Sequence, residues 1–112
     1  MTAIETVQPG RHPSTTTLDA FVRRHDLAAD VATARRLALE EFRPASEPRV
    51  GLETDPETGE QWVEIAVSVA AEPPEALDAY HRYTRRWLAS AAAPAVPLVR
   101  LAFDLVQHDG PT

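Results

Sequence analysis

The sequence predicts an α+β protein in which helices pack on one face of a three-stranded sheet. Three observations lead to this fold class. Residues 50–69 alternate between apolar and polar positions on either side of a turn, two stretches carry apolar residues at helical spacing, and a third alternating run follows at residues 98–106. The predicted order is an N-terminal helix or helix pair, an antiparallel β-hairpin, a second helix and a third strand.

The N-terminal region predicts a flexible tail followed by helix. Residues 1–16 contain two prolines and a glycine without apolar periodicity, so we expect them to be flexible. Helical spacing begins at Thr17, a candidate N-cap, and Pro44 ends it. The stretch HDLAAD at residues 25–30 leaves open whether the region forms one helix or two. The apolar positions are Leu18, Phe21, Val22, Leu27, Val31, Ala34, Ala38 and Phe42.

The stretch VGLETDPETGEQWVEIAVSV predicts the hairpin. In its second strand Val63, Ile65, Val67 and Val69 share one face, and the opposite face holds Trp62, Glu64, Ala66 and Ser68. The tip DPETGE places Pro56 and Gly59 where a turn favours them. It lacks the alternating oxygen ligands of a calcium loop, so we interpret its acidic residues as a solvated turn.

The C-terminal half predicts a helix and a third strand. Two prolines precede EALDAYHRYTRRWLASAAA, whose apolar stripe faces the sheet. That stripe comprises Ala76, Tyr80, Tyr83 and Trp87, widened by Leu77, Thr84, Leu88 and Ala91. In the following strand Val99, Leu101, Phe103 and Leu105 lie opposite Arg100, Ala102 and Asp104. Residues 17–108 thus predict a single domain, and residues 109–112 a flexible C-terminus.

Composition narrows the functional classes. The chain has 112 residues, a formal net charge of −6 and no cysteine. The negative charge disfavours binding to nucleic acid, and the lack of cysteine fits a cytoplasmic protein. No apolar run is long enough to predict a membrane span. A helix-turn-helix over residues 21–42 is an alternative, although its turn has no glycine and its second helix offers few base-reading side chains.

No metal or cofactor site is predicted. The four histidines (His12, His25, His81, His108) are dispersed, and no pair has the spacing of a helical metal site. No known catalytic motif is present. An enzyme remains an alternative if a pocket between helix and sheet brings together acid or base groups, for which the candidates are Tyr80, His81, Tyr83 and Asp104.

The candidate binding residues are one tryptophan and three arginines. Trp62 lies on the polar face of the predicted sheet, where it is either covered by the tail or the first helix, or acts as a contact anchor. Arg82, Arg85 and Arg86 form a basic group able to receive carboxylates or phosphate. Asp78 and Arg82 have the spacing of a helical ion pair. We predict that Trp62 and these arginines bind a partner protein.

A family resemblance accompanies this interpretation. An early helix ending in LALEEF, then LETDPETGEQWVEIAVSV, then EALDAYHRYTRRWL before a last strand resembles a group of small, largely uncharacterised bacterial α+β proteins. The similarity covers residues 18–106 and implies an acidic, antitoxin-like inhibitor or regulator of another protein, with the product of a neighbouring gene as the implied partner. We therefore predict a non-catalytic interaction module, and the open sheet edges offer a route to a homodimer.

Overall fold

The computed structural model describes residues 14–106, with side chains from residue 18 onward, and confirms the α+β prediction. The rest of the predicted tail and C-terminus lies outside the described residues. The elements are α1 (Ser14–Arg24), α2 (Ala28–Phe42), β1 (Arg49–Thr54), β2 (Gln61–Val69), α3 (Pro73–Ser90), a 3-10 helix (Ala93–Leu98) and β3 (Val99–Leu105). Helix α1 begins three residues before the predicted Thr17, since Ser14 to Thr17 are all residues favoured at N-caps and do not single out one start.

The N-terminal helical region is a helix pair. Asp26 adopts a left-handed conformation with φ 56°. Around it, the Leu27 N–H donates to the Val22 carbonyl at 2.9 Å, and the Asp26 N–H donates to the Arg23 carbonyl at 3.2 Å. This is the hydrogen-bond pattern of a Schellman C-cap, which satisfies the last carbonyls of α1. Leu27 is then buried in the core, so the chain turns at residues 25–27 and starts α2.

The sheet has the strand order β1-β2-β3, with β2 in the centre. Strands β1 and β2 form the predicted antiparallel hairpin, in which Val50 pairs with Ile65 and Leu52 with Val63. Strand β3 runs parallel to β2. A parallel neighbour needs a long crossover connection, and α3 with the 3-10 helix supplies it. The two outer strands, β1 and β3, are the edges of the sheet among the described residues.

The acidic hairpin tip is a turn held by its own groups. Gly59 has φ 79°, a conformation that glycine adopts at little cost. The Gly59 N–H donates to the Asp55 carbonyl, and the Asp55 N–H donates to the Glu60 carbonyl, both at 2.8 Å. The side-chain Oδ1 of Asp55 accepts from the Glu57 N–H at 2.8 Å. The N–H, the carbonyl and the carboxylate of Asp55 are therefore all hydrogen-bonded to backbone groups within the turn, as expected of a hairpin tip.

One hydrophobic core joins the helices to a single face of the sheet. Its β2 members, Val63 to Val69 at alternate positions, are 0–3% exposed, which confirms the predicted alternation. Other members come from all three helices, from β3 and from the 3-10 helix. They are Phe21, Leu27, Ala34, Leu37, Ala38, Phe42, Ala79, Tyr83, Trp87, Ala95 and Val99.

The apolar stripe of α3 is narrower than predicted. Ala76, Tyr83 and Trp87 are buried, as expected, but Leu77 and Leu88 are 49% and 56% exposed. The prediction that these two leucines widen the buried stripe was wrong. Helix α3 packs on α2, and its Tyr80, Tyr83 and Trp87 side chains pack on the sheet. The flank carrying the two leucines is exposed, so no element among residues 14–106 covers it. The helix begins with Pro73 and Pro74 in its first turn, and the Glu72 N–H donates to Oε1 of Glu75 at 3.2 Å.

Candidate interaction surface

The side of the sheet that faces away from the helices is called here the open face. Because alternate β2 residues point into the core, the residues between them point to this side. Their partners across both ladders complete the face. It consists of Trp62, Glu64, Ala66 and Ser68 of β2, Arg49, Gly51 and Glu53 of β1, and Arg100, Ala102 and Asp104 of β3. The predicted location of Trp62 is thereby confirmed.

The middle of the open face is made of small residues. Ala66 pairs with Ala102 on one side, and Gly51 of β1 lies beside Glu64 on the other. A side-chain carbon built on Gly51 would meet no atom within 4 Å. Above this glycine lies a depression of about 180 Å³, whose rim includes Arg49, Glu53 and Glu64. The open face is therefore low around Gly51, and it carries charges of both signs, including Glu64 on the central strand.

Trp62 stands at one end of the open face, covered on one side by Arg100. The guanidinium carbon Cζ of Arg100 lies 4.2 Å from the centre of the indole ring. Two hydrogen bonds fix this arginine: Nε donates to the Pro97 carbonyl and Nη2 to Oε2 of Glu60, both at 2.9 Å. A cation over an indole face is attractive by about 0.5–1 kcal/mol at exposed sites. Trp62 is therefore half-buried and held in one orientation.

The cover on Trp62 differs from the alternatives weighed for it from the sequence. Helix α1 cannot supply it, because Phe21 of α1 belongs to the core on the other side of the sheet. The residues of the tail before Ser14 lie outside the described part of the chain. Arg100 was the residue that sequence analysis missed. In the β2–β3 ladder Arg100 pairs with Glu64, which lies two residues after Trp62. The sequence would have pointed to Arg100 only if β3 had been assumed to lie beside β2.

Arg82 and Arg86 bind carboxylates of the same chain. Nε of Arg82 donates to Oε1 of Glu41 at 2.8 Å, and Nη1 of Arg86 donates to Oε2 of Glu41 at 3.0 Å. Nη1 of Arg86 also lies 2.9 Å from Oε1 of Glu40. These bonds tie α3 to α2. Hydrogen bonding from Arg82 first, and then from Arg86, holds the pKa of Glu41 below its usual value against the opposing effect of burial.

The three predicted arginines therefore have different roles. Arg82 pairs with Glu41, and the predicted ion pair between Asp78 and Arg82 does not form. Arg85 is exposed and makes no salt bridge within residues 14–106. All three belong to α3, which packs on the core side of the sheet. Trp62 points to the opposite side, so the structure does not bring it together with the arginines into one continuous surface.

The four acid and base candidates do not converge either. Tyr83 is 3% exposed, and its hydroxyl has no hydrogen-bond partner in the described structure. Burial raises the pKa of this hydroxyl. His81 is exposed on the outer side of α3. Asp104 lies on the open face, where it accepts a hydrogen bond from Oγ of Ser68 at 3.3 Å.

A cleft of about 310 Å³ lies between α3, the 3-10 helix and β3. Its lining includes Tyr80, Tyr83 and Trp87 from α3 and Val96 and Leu101 from the other two elements. Neither His81 nor Asp104 lines it. Thr84 and Arg100 also line it. The cleft thus combines aromatic and aliphatic surface with two phenols, one hydroxyl and one guanidinium, and it lacks the carboxylate or imidazole that the enzyme alternative would use as a base.

The helix-turn-helix alternative also loses its geometric basis. Helix α2, which would enter the DNA groove, buries Ala34, Leu37, Ala38 and Phe42 in the core. On its outer side Arg35 pairs with Glu47, and Arg36 lies 3.6 Å from Glu40. The basic groups of this helix are therefore matched by carboxylates of the same chain, whereas a recognition helix presents free donors to bases and phosphates.

Residues 14–106 contain no group of three or more histidine, aspartate or glutamate side chains arranged to hold a metal ion. Within the same residues, no helix combines the length and apolar character that crossing a bilayer requires.

Comparison with known proteins adds no relative. Searches against protein-family models, curated proteins and solved structures found no match to this chain. The resemblance to antitoxin-like bacterial proteins therefore stays a prediction.

Proposed function

We propose that this protein acts by binding another protein through its open face, with Trp62 as the anchor. One observation carries the proposal: a tryptophan stands on a sheet face that no other described element covers, and a hydrogen-bonded arginine holds it in place. Tryptophan and arginine are the residues most enriched among binding hot spots. A side chain already fixed in one orientation loses little entropy on binding.

The rest of the open face supports the same proposal. Its small central residues, Gly51, Ala66 and Ala102, allow a partner's side chains to approach the backbone closely. Its rim carries charges of both signs, which favours a protein partner over a phosphate backbone. The formal net charge of −6 points the same way. The cytoplasmic location belongs to the proposal and is supported by the absence of cysteine.

The kind of partner follows from the resemblance noted in the sequence. An antitoxin-like regulator binds the product of an adjacent gene, so that product is the first partner to test. Arg82 and Arg86 no longer fit the role of steering residues, because both are bound to Glu41. Arg85 makes no salt bridge within residues 14–106, but it lies on α3, on the side of the molecule away from the open face, and is not part of the proposed binding site.

The test is a calorimetric titration of the chain with the adjacent gene's product. Trp62→Ala should raise Kd roughly thirtyfold, which corresponds to the usual hot-spot threshold of about 2 kcal/mol. Arg85→Ala is the matched control, because Arg85 is exposed on the other side of the molecule. Its Kd should change less than about threefold, as is usual for residues outside hot spots.

Two results would contradict the proposal. Equal affinity of wild type and Trp62→Ala, with circular dichroism showing that both are folded, would remove the open face as the binding site. A larger loss from Arg85→Ala than from Trp62→Ala would transfer the binding site to α3. Wild-type protein that does not bind the adjacent product would refute that partner, and a screen for Trp62-dependent capture would then test the face itself.

A further inference from the structure

Strand β3 is a regular edge strand whose outer side has no partner in the described structure. All seven of its residues pair in register with β2, without a bulge. The Val106 N–H donates to the Val69 carbonyl at 2.9 Å, which fixes the direction of every main-chain group in the ladder. The main-chain N–H and C=O groups point towards β2 at Arg100, Ala102 and Asp104. They therefore point away from the sheet at Leu101, Phe103 and Leu105.

Natural edge strands usually carry protection against pairing with another chain, such as lysine, proline or a bulge. Strand β3 reads VRLAFDL and contains neither proline nor lysine; its two charges, Arg100 and Asp104, have opposite signs and are complementary across an antiparallel copy. Its core-facing residues also become more exposed along the strand. Val99 is 2% exposed, Leu101 and Phe103 are half-buried, and Leu105 is 41% exposed. The edge thus presents free main-chain groups beside incompletely covered apolar side chains.

The sequence of β3 is chemically self-complementary about Ala102. When the strand is laid antiparallel against its own copy with Ala102 opposite Ala102, Arg100 faces Asp104 and Leu101 faces Phe103. Val99 then faces Leu105. The charged residues lie on the open face at both ends, where Arg100 keeps its hydrogen bonds to Pro97 and Glu60 and gains the other copy's Asp104 as a neighbouring opposite charge. The apolar pairs lie on the core side. Opposite charges and apolar pairs in cross-strand positions each stabilise a sheet.

From this pattern we propose that two copies of the chain pair through their β3 strands, antiparallel and centred on Ala102. The outward main-chain groups of Leu101 and Phe103 then meet as hydrogen-bonded pairs, and Ala102 forms a non-hydrogen-bonded pair. Two three-stranded sheets join into one of six strands. The two-fold axis is perpendicular to that sheet, so both open faces lie on the same side.

A second copy is favoured over an unrelated strand because the complementarity is symmetric. Arg100 of each copy faces Asp104 of the other, so the same contact occurs twice, as in an isologous interface. The other edge strand has the same symmetry but less apolar surface to contribute. Antiparallel pairing of β1 about Gly51 would place Arg49 opposite Glu53, but Val50 and Leu52 would be the only apolar residues on its core side. This inference is independent of the proposed function, because it requires no other protein.

The register is tested with single cysteines, since the chain has none of its own. Residues in a non-hydrogen-bonded antiparallel pair have Cα atoms about 4.5 Å apart, within the range of a disulfide. Ala102→Cys should therefore form a covalent dimer under mild oxidation. Glu53→Cys is the matched control, because Glu53 also lies on the open face of an edge strand with its main chain bonded to β2. It should crosslink at least about tenfold more slowly.

The charge pairing is tested by sedimentation equilibrium. Asp104→Arg places like charges opposite each other twice in the dimer and should raise the dimer Kd about tenfold or more. Combining it with Arg100→Asp restores opposite charges at both places and should recover most of the affinity. Circular dichroism of each variant checks that the monomer is folded.

The outcomes separate clearly. A wild-type chain that sediments as a monomer throughout the micromolar range overturns the proposal. A dimer in which Ala102→Cys crosslinks no faster than Glu53→Cys overturns the β3 interface, and one in which the double charge exchange fails to recover affinity overturns the register. Failure of the adjacent gene's product to bind leaves all three measurements unaffected, so the proposed function and the dimer are judged separately.

Discussion

The two tryptophans of the chain mark the two sides of the sheet. Trp87 lies in the core with 5% exposure, where apolar side chains surround it. Trp62 lies on the open face against one guanidinium group. Both have the same side chain, yet the first is almost fully buried in the core, and the second is half-buried and keeps part of its surface accessible. The difference teaches that in this small sheet stability is concentrated on one side, and the other side is left for recognition.

The largest effect is expected from Trp87→Ala. Removing a buried tryptophan loses its transfer free energy and leaves a cavity, which together cost about 3–5 kcal/mol. Urea unfolding followed by circular dichroism measures this loss. A midpoint equal to that of wild type would break the comparison, because Trp87 would then not be part of the stabilising side.

A smaller effect of opposite sign is expected from Tyr83→Phe. The Tyr83 hydroxyl is buried without a partner in the described structure, and such a group costs about 1–3 kcal/mol. Its removal should raise the free energy of unfolding by about 1 kcal/mol. A loss of stability on this substitution would mean that the hydroxyl is hydrogen-bonded in solution.

The same residue predicts a dependence on alkaline pH. Because burial raises the pKa of Tyr83 in the folded state, its contribution to stability is fully present below the ordinary value of 10.0. It is lost as pH rises beyond that value, since the unfolded chain then releases a proton that the folded chain retains. Wild type should therefore lose more stability than Tyr83→Phe when the pH is raised above 10, as measured by urea unfolding of both proteins below and above that pH.

Trp62→Ala should cost only about 1 kcal/mol in stability, mainly from the lost cation–π contact. The measurement is again the urea midpoint, compared directly with that of Trp87→Ala. Trp62→Phe keeps an aromatic face under Arg100 and serves as the control. If Trp62→Ala were as destabilising as Trp87→Ala, the open face would be part of the structural core.

The smallest effect is expected from Glu41→Gln, at about 0.5 kcal/mol. The Glu41 side chain is 15% exposed, but both of its arginine partners are more than 40% exposed, so solvent weakens the pairs. The folded-state pKa of Glu41 is lowered, and its contribution is therefore present above the ordinary value of 4.5. As pH falls below that value the contribution disappears, so the difference between variant and wild type should vanish in acid titrations of stability.

Local patterns in the sequence predict much of the fold. Alternation in β2 identifies Val63 to Val69 as core and Trp62 as outward-facing, and helical spacing identifies Trp87 as buried. These predictions succeed because each rests on the geometry of a single element. The turn at Asp26 is less visible, because a left-handed aspartate leaves only a weak signal in sequence.

Contacts between distant elements could not be predicted in the same way. The arginines of α3 looked free because their partner, Glu41, is in another helix, and only the packing of α2 on α3 brings the two together. Arg100 reaches Trp62 only once β3 is known to lie beside β2. The exposed Leu77 and Leu88 likewise follow from where the helical layer ends, which periodicity within one helix does not indicate.

The parallel placement of β3 also has a consequence for the order in which the chain is made. The hairpin of β1 and β2 pairs residues that are close in sequence, whereas the pairing of Val63 with Val99 can form only after β3 has been synthesised. Pairings between distant residues form slowly, because closing the intervening loop costs entropy before any contact compensates it. A ribosome that has released only the first two strands holds a sheet whose central strand is still an edge. The nascent chain therefore exposes Val63 to Val69 to other hydrophobic chains until its last strand emerges, and late synthesis is the stage at which a chaperone would matter most.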